Sequence, residues 1–203
     1  MNKCQSILSA ALVVGAFVAA PASAQFYAGI GAGQSHMGSS SFPAGTNVTA
    51  SGFDQNRTSF QVNGGYQIDP MWGVEIQYTD LGSRSGTVCN GAVCTGTGDI
   101  KAYQWGIAGT GTFDINREFF VRGKLGVSSN HVDSVSGTVN GIAYNTSGSS
   151  NTDVLAGIAV GYRWSKNFAT RLEYEYFGKF ESNNGAASVK GSNIGLRMQY
   201  SFD

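Results

Sequence analysis

Apolar and polar residues alternate with a period of two along almost the whole chain after residue 24, which is the pattern of strands whose two faces meet different surroundings. In the first run Phe26, Ala28, Ile30 and Ala32 share one face, and Tyr27, Gly29, Gly31 and Gly33 share the other. The second sets Phe60, Val62, Gly64, Tyr66 and Ile68 against Ser59, Gln61, Asn63 and Gln67. The third sets Trp72, Val74, Ile76 and Tyr78 against Gly73, Glu75, Gln77 and Thr79. Tyr103, Trp105, Ile107 and Phe113 form the apolar face of the fourth, opposite Gln104, Gly106, Ala108 and Thr110. Phe119, Val121, Leu125 and Val127 oppose Arg122, Lys124 and Ser128 in the fifth. The sixth carries Val154, Ala156, Ile158, Val160, Tyr162 and Trp164 on one face. Leu172, Tyr174 and Tyr176 oppose Arg171, Glu173 and Glu175 in the seventh, and Ile194, Leu196, Met198, Tyr200 and Phe202 oppose Gly195, Arg197 and Gln199 in the last.

Each run is about nine to twelve residues, the length with which a tilted strand crosses a bilayer. The connections alternate. Asp69-Pro70, the stretch 114–118 and the stretch 165–167 read as tight turns. The stretches 36–56, 82–98, 129–151 and 178–190 are long and rich in Ser, Gly, Thr and Asn. In a bacterial barrel with its N-terminus in the periplasm, long loops fall outside and tight turns inside. Aromatic residues gather at both ends of the runs, with Phe26, Trp72, Phe119, Trp164 and Phe202 at one end and Phe60, Tyr78, Tyr103 and Tyr176 at the other. Such rings suit the two lipid–water boundaries. Lipid cannot satisfy an open sheet edge, so the wall must close. The expected fold is all-β, a closed antiparallel eight-stranded transmembrane β-barrel. A soluble β-sandwich shares the periodicity but does not need an ionic face on its strands.

The segment before the first run is different. Lys3 precedes an apolar run from Ile7 to Ala20, Pro21 breaks it, and Ala22-Ser23-Ala24 supplies small residues for cleavage. This is the layout of a secretory signal peptide, so residues 1–24 are expected to be removed and residues 25–203 to form the barrel domain. Cys4 would leave with the signal. Composition supports a membrane wall. The chain has 29 glycines, 12% aromatics and only 13% charged residues, the last about half the share usual in soluble domains. Its formal net charge is zero, so no basic surface points to nucleic acid.

The inward faces carry the chemistry. Glu75, Arg122 and Arg171 fall about one level above the periplasmic rim, and Lys124, Glu173 and Arg197 about one level higher. The third and seventh runs face each other across the barrel, so Glu75 and Arg171 are placed to meet through its axis. A barrel of this size is barely wide enough for its own side chains, and charges enclosed there must be paired. A plug of ion pairs is expected, with inward glycines on the first, fourth and sixth runs leaving room for water.

Cys89 and Cys94 lie in the second outside connection, in Cys-Asn-Gly-Ala-Val-Cys, where Asn90-Gly91 signals a tight turn. Export favours a disulfide between them, and two thiolates alone make a poor zinc site. His36 and His131 are the two histidines, both near loops. Ser129 and Asp133 lie close to His131, but alternation sets the three side by side rather than in a chain of roles. Gly29, Gly31 and Gly33 are not a nucleotide loop, because no helix follows. No catalytic residue, cofactor or metal is expected.

The chain resembles the OmpA-like transmembrane domain and its small outer-membrane barrel relatives. The likeness runs from end to end of the mature chain. It is carried by Phe26-Tyr27-Ala28-Gly29, by the segment from Gly73 to Gly82, by Lys124-Leu125-Gly126-Val127 and by the segment from Ala169 to Tyr174. The end is similar to the signal read by the barrel-insertion machinery, with Asn193, Gly195, Met198, Tyr200 and the terminal aromatic Phe202. Asp203 follows that aromatic, where the family often stops on Phe. Gly31 stands where the family commonly has an inward lysine, and no peptidoglycan-binding domain follows the last strand. The resemblance implies a bacterial outer-membrane location with both termini periplasmic. It also implies a monomer among outer-membrane lipids and lipopolysaccharide, inserted with the help of periplasmic chaperones. A structural and surface-display role, without enzymatic activity, is the expectation. A narrow porin for small solutes, a lipid-modifying barrel enzyme and an adhesin whose loops bind a host ligand are the alternatives.

Overall fold

The computed structural model describes residues 25–38, 48–51, 56–90, 93–132, 136–139, 142–145, 149–181 and 188–202. The segment expected to be a signal peptide, Asp133 and Asp203 lie outside them. The described strands are β1 (Gln25–Met37), β2 (Val48–Ser51), β3 (Asn56–Gln67), β4 (Trp72–Asn90), β5 (Val93–Asp114), β6 (Phe119–Val132), β7 (Ser136–Val139), β8 (Ile142–Asn145), β9 (Ser149–Arg163), β10 (Phe168–Glu181) and β11 (Ser188–Phe202). Eight of them, β1, β3, β4, β5, β6, β9, β10 and β11, pair antiparallel in that order, and β11 pairs back onto β1. The closing register runs from Phe26 opposite Phe202 to Met37 opposite Gly191. The wall is therefore a closed antiparallel barrel of eight strands. No strand of it is left as an open edge in lipid.

Alternation decides which side chain meets lipid. Ile30, Ile76, Ile107, Leu125, Ile158 and Leu172 stand on the outer surface, Leu125 with 67% of its area uncovered. A soluble protein does not sustain a continuous apolar belt of this kind. The inner face is the reverse, and Gln61, Asn63, Glu75, Gln77, Thr110, Arg171 and Arg197 are buried there.

The three tight turns are built alike. The Asp69 carboxylate accepts the amides of Met71 and Trp72 at 2.8 and 2.6 Å. The Asn116 side chain accepts those of Glu118 and Phe119 at 2.9 and 2.7 Å. The Ser165 hydroxyl accepts those of Asn167 and Phe168 at 3.3 and 3.0 Å. Short polar side chains that bond the backbone two and three residues on are a standard way to hold a turn.

At the other end the structure departs from one expectation. The stretch 82–98 reads as a loop, but β4 and β5 stay paired through it as far as Asn90 opposite Val93. Asn90 thus belongs to the strand rather than to the turn. A register shift between Asp80 and Ser83, at Gly82 with φ of 77°, separates this upper hairpin from the wall. β2 adds to its β4 side, and β7 with β8 leans on Thr97 to Asp99 of β5. Backbone pairing needs no apolar face, so Ser-, Gly- and Thr-rich strands outside lipid lack the alternation that marks the wall.

Candidate functional site

Among the described residues, the lumen holds the largest group of paired charged side chains. Every second residue of β4, β6, β10 and β11 points inward, and four strands thereby place Glu75, Arg122, Lys124, Arg171, Glu173, Glu175 and Arg197 in one buried group. The Arg171 guanidinium spans the lumen to Glu75 at 3.0 Å and bonds Glu173 on its own strand at 2.9 Å. Lys124 is the hub, with its ammonium 3.0 Å from Glu75, 2.6 Å from Glu173 and 2.5 Å from Glu175. Arg197 lies 2.9 Å from Glu175 and 3.8 Å from Glu173. Arg122 stands at the margin, 4.0 Å from Glu75. The two levels expected for these charges therefore interdigitate through Lys124.

Neutral side chains complete the group. Tyr27 and Asn63 each donate to Glu75 Oε2 at 3.0 Å. Gln77 accepts from Lys124 at 2.6 Å. Gln199 accepts from both Arg122 and Arg171. Burying an ion is costly unless partners satisfy it, and each carboxylate here has at least two cations beside it. Glu175 was absent from the set that spacing proposed for pairing, although its inward place two residues after Glu173 is the signal that finds it.

The inward glycines do not hold space for water. A Cβ at Gly31 or Gly195 would strike the Arg197 side chain, one at Gly157 would lie 2.9 Å from the Lys124 stem, and one at Gly106 would meet Gln104 and Leu155. Charged side chains lie over Gly31, Gly195 and Gly157, and neutral ones over Gly106. The space that an inward residue at Gly31 would take is occupied by an arginine from the neighbouring strand.

Above Glu175 the filling changes character. Leu81, Ala102, Leu155, Phe177 and Phe180 are buried together with Ala108, and Met37 and Val132 pack against them. Phe177 and Phe180 flank a register shift in β10, where Gly178 has φ of 76°. Its positive φ suits glycine, and bulges commonly re-aim side chains. This one turns Phe180 inward, out of step with Glu173 and Glu175. The Phe177 carbonyl is tied across β9 by the Ser128 hydroxyl at 2.9 Å and the Asn130 amide at 2.8 Å.

The histidines belong to strands rather than loops. His36, in β1, lies 2.8 Å from the Asn56 side chain of β3. His131, in β6, stacks on Tyr103 at 4.9 Å with 4° between the rings, on the outward face and across the wall from the carboxylates. Among the described residues no group of three His, Cys, Asp or Glu side chains is placed to hold a metal ion. Cys89 and Cys94 lie in the paired backbone of β4 and β5, and their side chains fall outside the described residues. Of the terminal set, Asn193 and Gly195 point inward while Met198, Tyr200 and Phe202 face lipid, with the last two rings edge to face at 5.2 Å.

An inside-out barrel with a polar, ion-paired interior and an apolar belt defines the class of small outer-membrane barrels, with termini and tight turns on the periplasmic side and the long connections outside. The family model of the OmpA-like transmembrane domain matches residues 21–202, and the chain belongs to that family. No curated protein sequence matches it. Among solved structures, the outer membrane protein OprG from Pseudomonas aeruginosa is similar at a TM-score of 0.57 and 13% identity, over 89% of this chain and 96% of that one. Neisserial surface protein A is similar at 0.54 and 18% identity, over 87% and 97%. Ail, the attachment invasion locus protein of Yersinia pestis, is similar at 0.52 and 17% identity, over 88% and 99%, in a complex with the heparin analogue sucrose octasulfate. At these identities the likeness is one of fold.

Proposed function

We propose that the protein is a non-enzymatic structural barrel that closes its own lumen and displays the paired upper strands at the cell surface. The observation that carries this reading is the Glu75–Arg171 bridge through the barrel axis, flanked by Lys124 with its three carboxylates. A solute passing through must displace several charge-assisted bonds at once, each stronger than a neutral hydrogen bond. The display part is supported by the β4–β5 hairpin, which holds 19- and 22-residue strands together well past the bulge at Gly82. It gives a binding partner a shaped surface, and a host ligand at those strands is the adhesin form of the same proposal. The disulfide between Cys89 and Cys94 would staple the tip of this hairpin, and Asn193, Gly195, Met198, Tyr200 and Phe202 would serve in insertion.

Planar bilayers containing the purified protein test the closed lumen. The expected result is no sustained ohmic current, and a steady current carried by the unmodified protein would transfer the function to a narrow porin. Protease sites engineered into 39–56 and 134–150 should be cut on intact cells while one at Asn116 is spared, and the opposite pattern would defeat display.

A further inference from the structure

The buried charges of the lumen do not balance one another. Among the described residues the buried charges of the lumen are four cations, Arg122, Lys124, Arg171 and Arg197, against three carboxylates, Glu75, Glu173 and Glu175. Glu75 is already shared by Lys124 and Arg171 at 3.0 Å each, so Arg122 at 4.0 Å holds the weakest claim on it. Its Nε donates to Thr112 and its Nη1 to Gln199. No hydrogen bond leaves its Nη2 among the described residues. The guanidinium lies over the rings of Tyr27 and Phe120, 5.3 and 5.7 Å from their centroids. The Phe120 ring fills the place over Gly161, and the Arg163 guanidinium also lies over it at 4.7 Å.

Arg122 lines a small, partly open recess at the periplasmic mouth, and Arg163, Ser165, Lys166 and Gln199 line it too. The recess has no carboxylate in its wall. Arg163 is engaged by Asp114 at 2.6 Å just beside it. Lys166, at the tip of the turn, has no ion-pair partner among the described residues. The Ser165 hydroxyl accepts two backbone amides and so keeps its own proton to donate. A weakly paired buried cation, an ammonium without an ion-pair partner among the described residues and a hydroxyl with its proton to spare thus line one small recess.

We infer that this recess binds a phosphate-type oxyanion, held by Arg122, Lys166 and Ser165 on the periplasmic side of the barrel. Arginine's planar fork suits an anion with several oxygens better than it suits a point charge, and the added negative charge offsets the surplus of the lumen. An inner-leaflet lipid headgroup and free phosphate present the same chemistry. Side-chain NMR of the full-length mature barrel separates them in two arms. One titrates inorganic phosphate into maltoside micelles at constant ionic strength. The other compares nanodiscs of phosphatidylglycerol and of digalactosyldiacylglycerol, a lipid with no phosphate, in the absence of free phosphate. The Arg122 Nε and Gln199 amide signals should move, saturably with phosphate if the free ion binds, or only in the phosphatidylglycerol discs if the headgroup does. Lys166→Glu should weaken the effect about tenfold, the loss expected for one charge-assisted bond, and Lys190→Glu at the other end should leave it unchanged. Signals that stay still in both arms, or that respond equally in Lys166→Glu, overturn the site.

Discussion

On the periplasmic side of Glu175 the barrel interior is filled by charged side chains, and on the extracellular side by Leu81, Leu155, Phe177 and Phe180. Under the proposed closed lumen both layers would obstruct passage, but they depend on different things. The ionic layer rests on pairing. Its members are held by partners from the opposite wall, so removing one strands another in a space too narrow to hydrate it fully. The apolar layer rests on volume. Its residues hold no charge, and a missing ring leaves a gap that the rigid wall cannot collapse to fill. On the proposed reading the barrel would exclude ions by two mechanisms in series, and a lesion in either layer would leave the other in place.

The largest effect is expected in the apolar layer. Phe177→Ala should destabilise the barrel by about 3–5 kcal/mol, the cost of truncating a fully buried ring, read as a fall in the urea midpoint for unfolding in detergent. Phe177→Leu, which keeps most of the volume, should recover the greater part. Next comes the ionic layer. Glu75→Ala leaves Arg171, Lys124 and Arg122 without the carboxylate they share. Breaking a buried pair costs about 3–5 kcal/mol, and an effective dielectric nearer to about 20 in the lumen should reduce this to about 2 kcal/mol. Val74→Ala, its neighbour in β4, faces lipid and should cost about 1 kcal/mol or less. Equal losses for Glu75 and Val74 would show that the interior charges are hydrated rather than paired.

A smaller change probes the floor beneath the ionic layer. Gly161→Ala forces a Cβ into the Phe120 ring, and overpacking of this kind costs about 1–3 kcal/mol. Loss of the ring-current shift on neighbouring β9 and β10 amides would report the displaced Phe120. The smallest effect belongs to the outer hairpin. Non-reducing mass mapping should find Cys89 joined to Cys94, a link worth about 2 kcal/mol at most by chain entropy. Replacing both cysteines should leave the wall folded, because the link closes a short segment away from the wall.

The two layers were not equally legible. The ionic one follows from parity alone, since Glu75, Arg122, Lys124, Arg171, Glu173 and Arg197 all fall on the face opposite a run of apolar residues. The tight turns were equally plain, because Asp69, Asn116 and Ser165 sit where side-chain acceptors hold turns. The apolar layer was hidden for two reasons. Leu81, Leu155 and Phe177 occupy inward places, but an apolar residue inside an apolar run reads as lipid-facing unless parity is followed strictly. Phe180 sits out of step with parity because the bulge at Gly178 shifts it, and no pattern of residues marks that shift. The roles of Gly31 and Gly157 were also misread as room for water, since a glycine does not say which neighbour lies over it. The upper hairpin escaped because strands outside lipid need no apolar face.

Closure by two barriers in series is tested most directly by single-channel conductance of four proteins in planar bilayers: the unmodified chain, Glu75→Ala, Phe177→Ala and the double replacement. Circular dichroism and heat-modifiable gel migration would establish that each is folded. The account predicts that the unmodified chain and both single variants pass little current, and that the double variant conducts steadily. A steady current through Glu75→Ala alone, as large as that of the double variant, would contradict it and leave the ion pairs as the only barrier in the lumen.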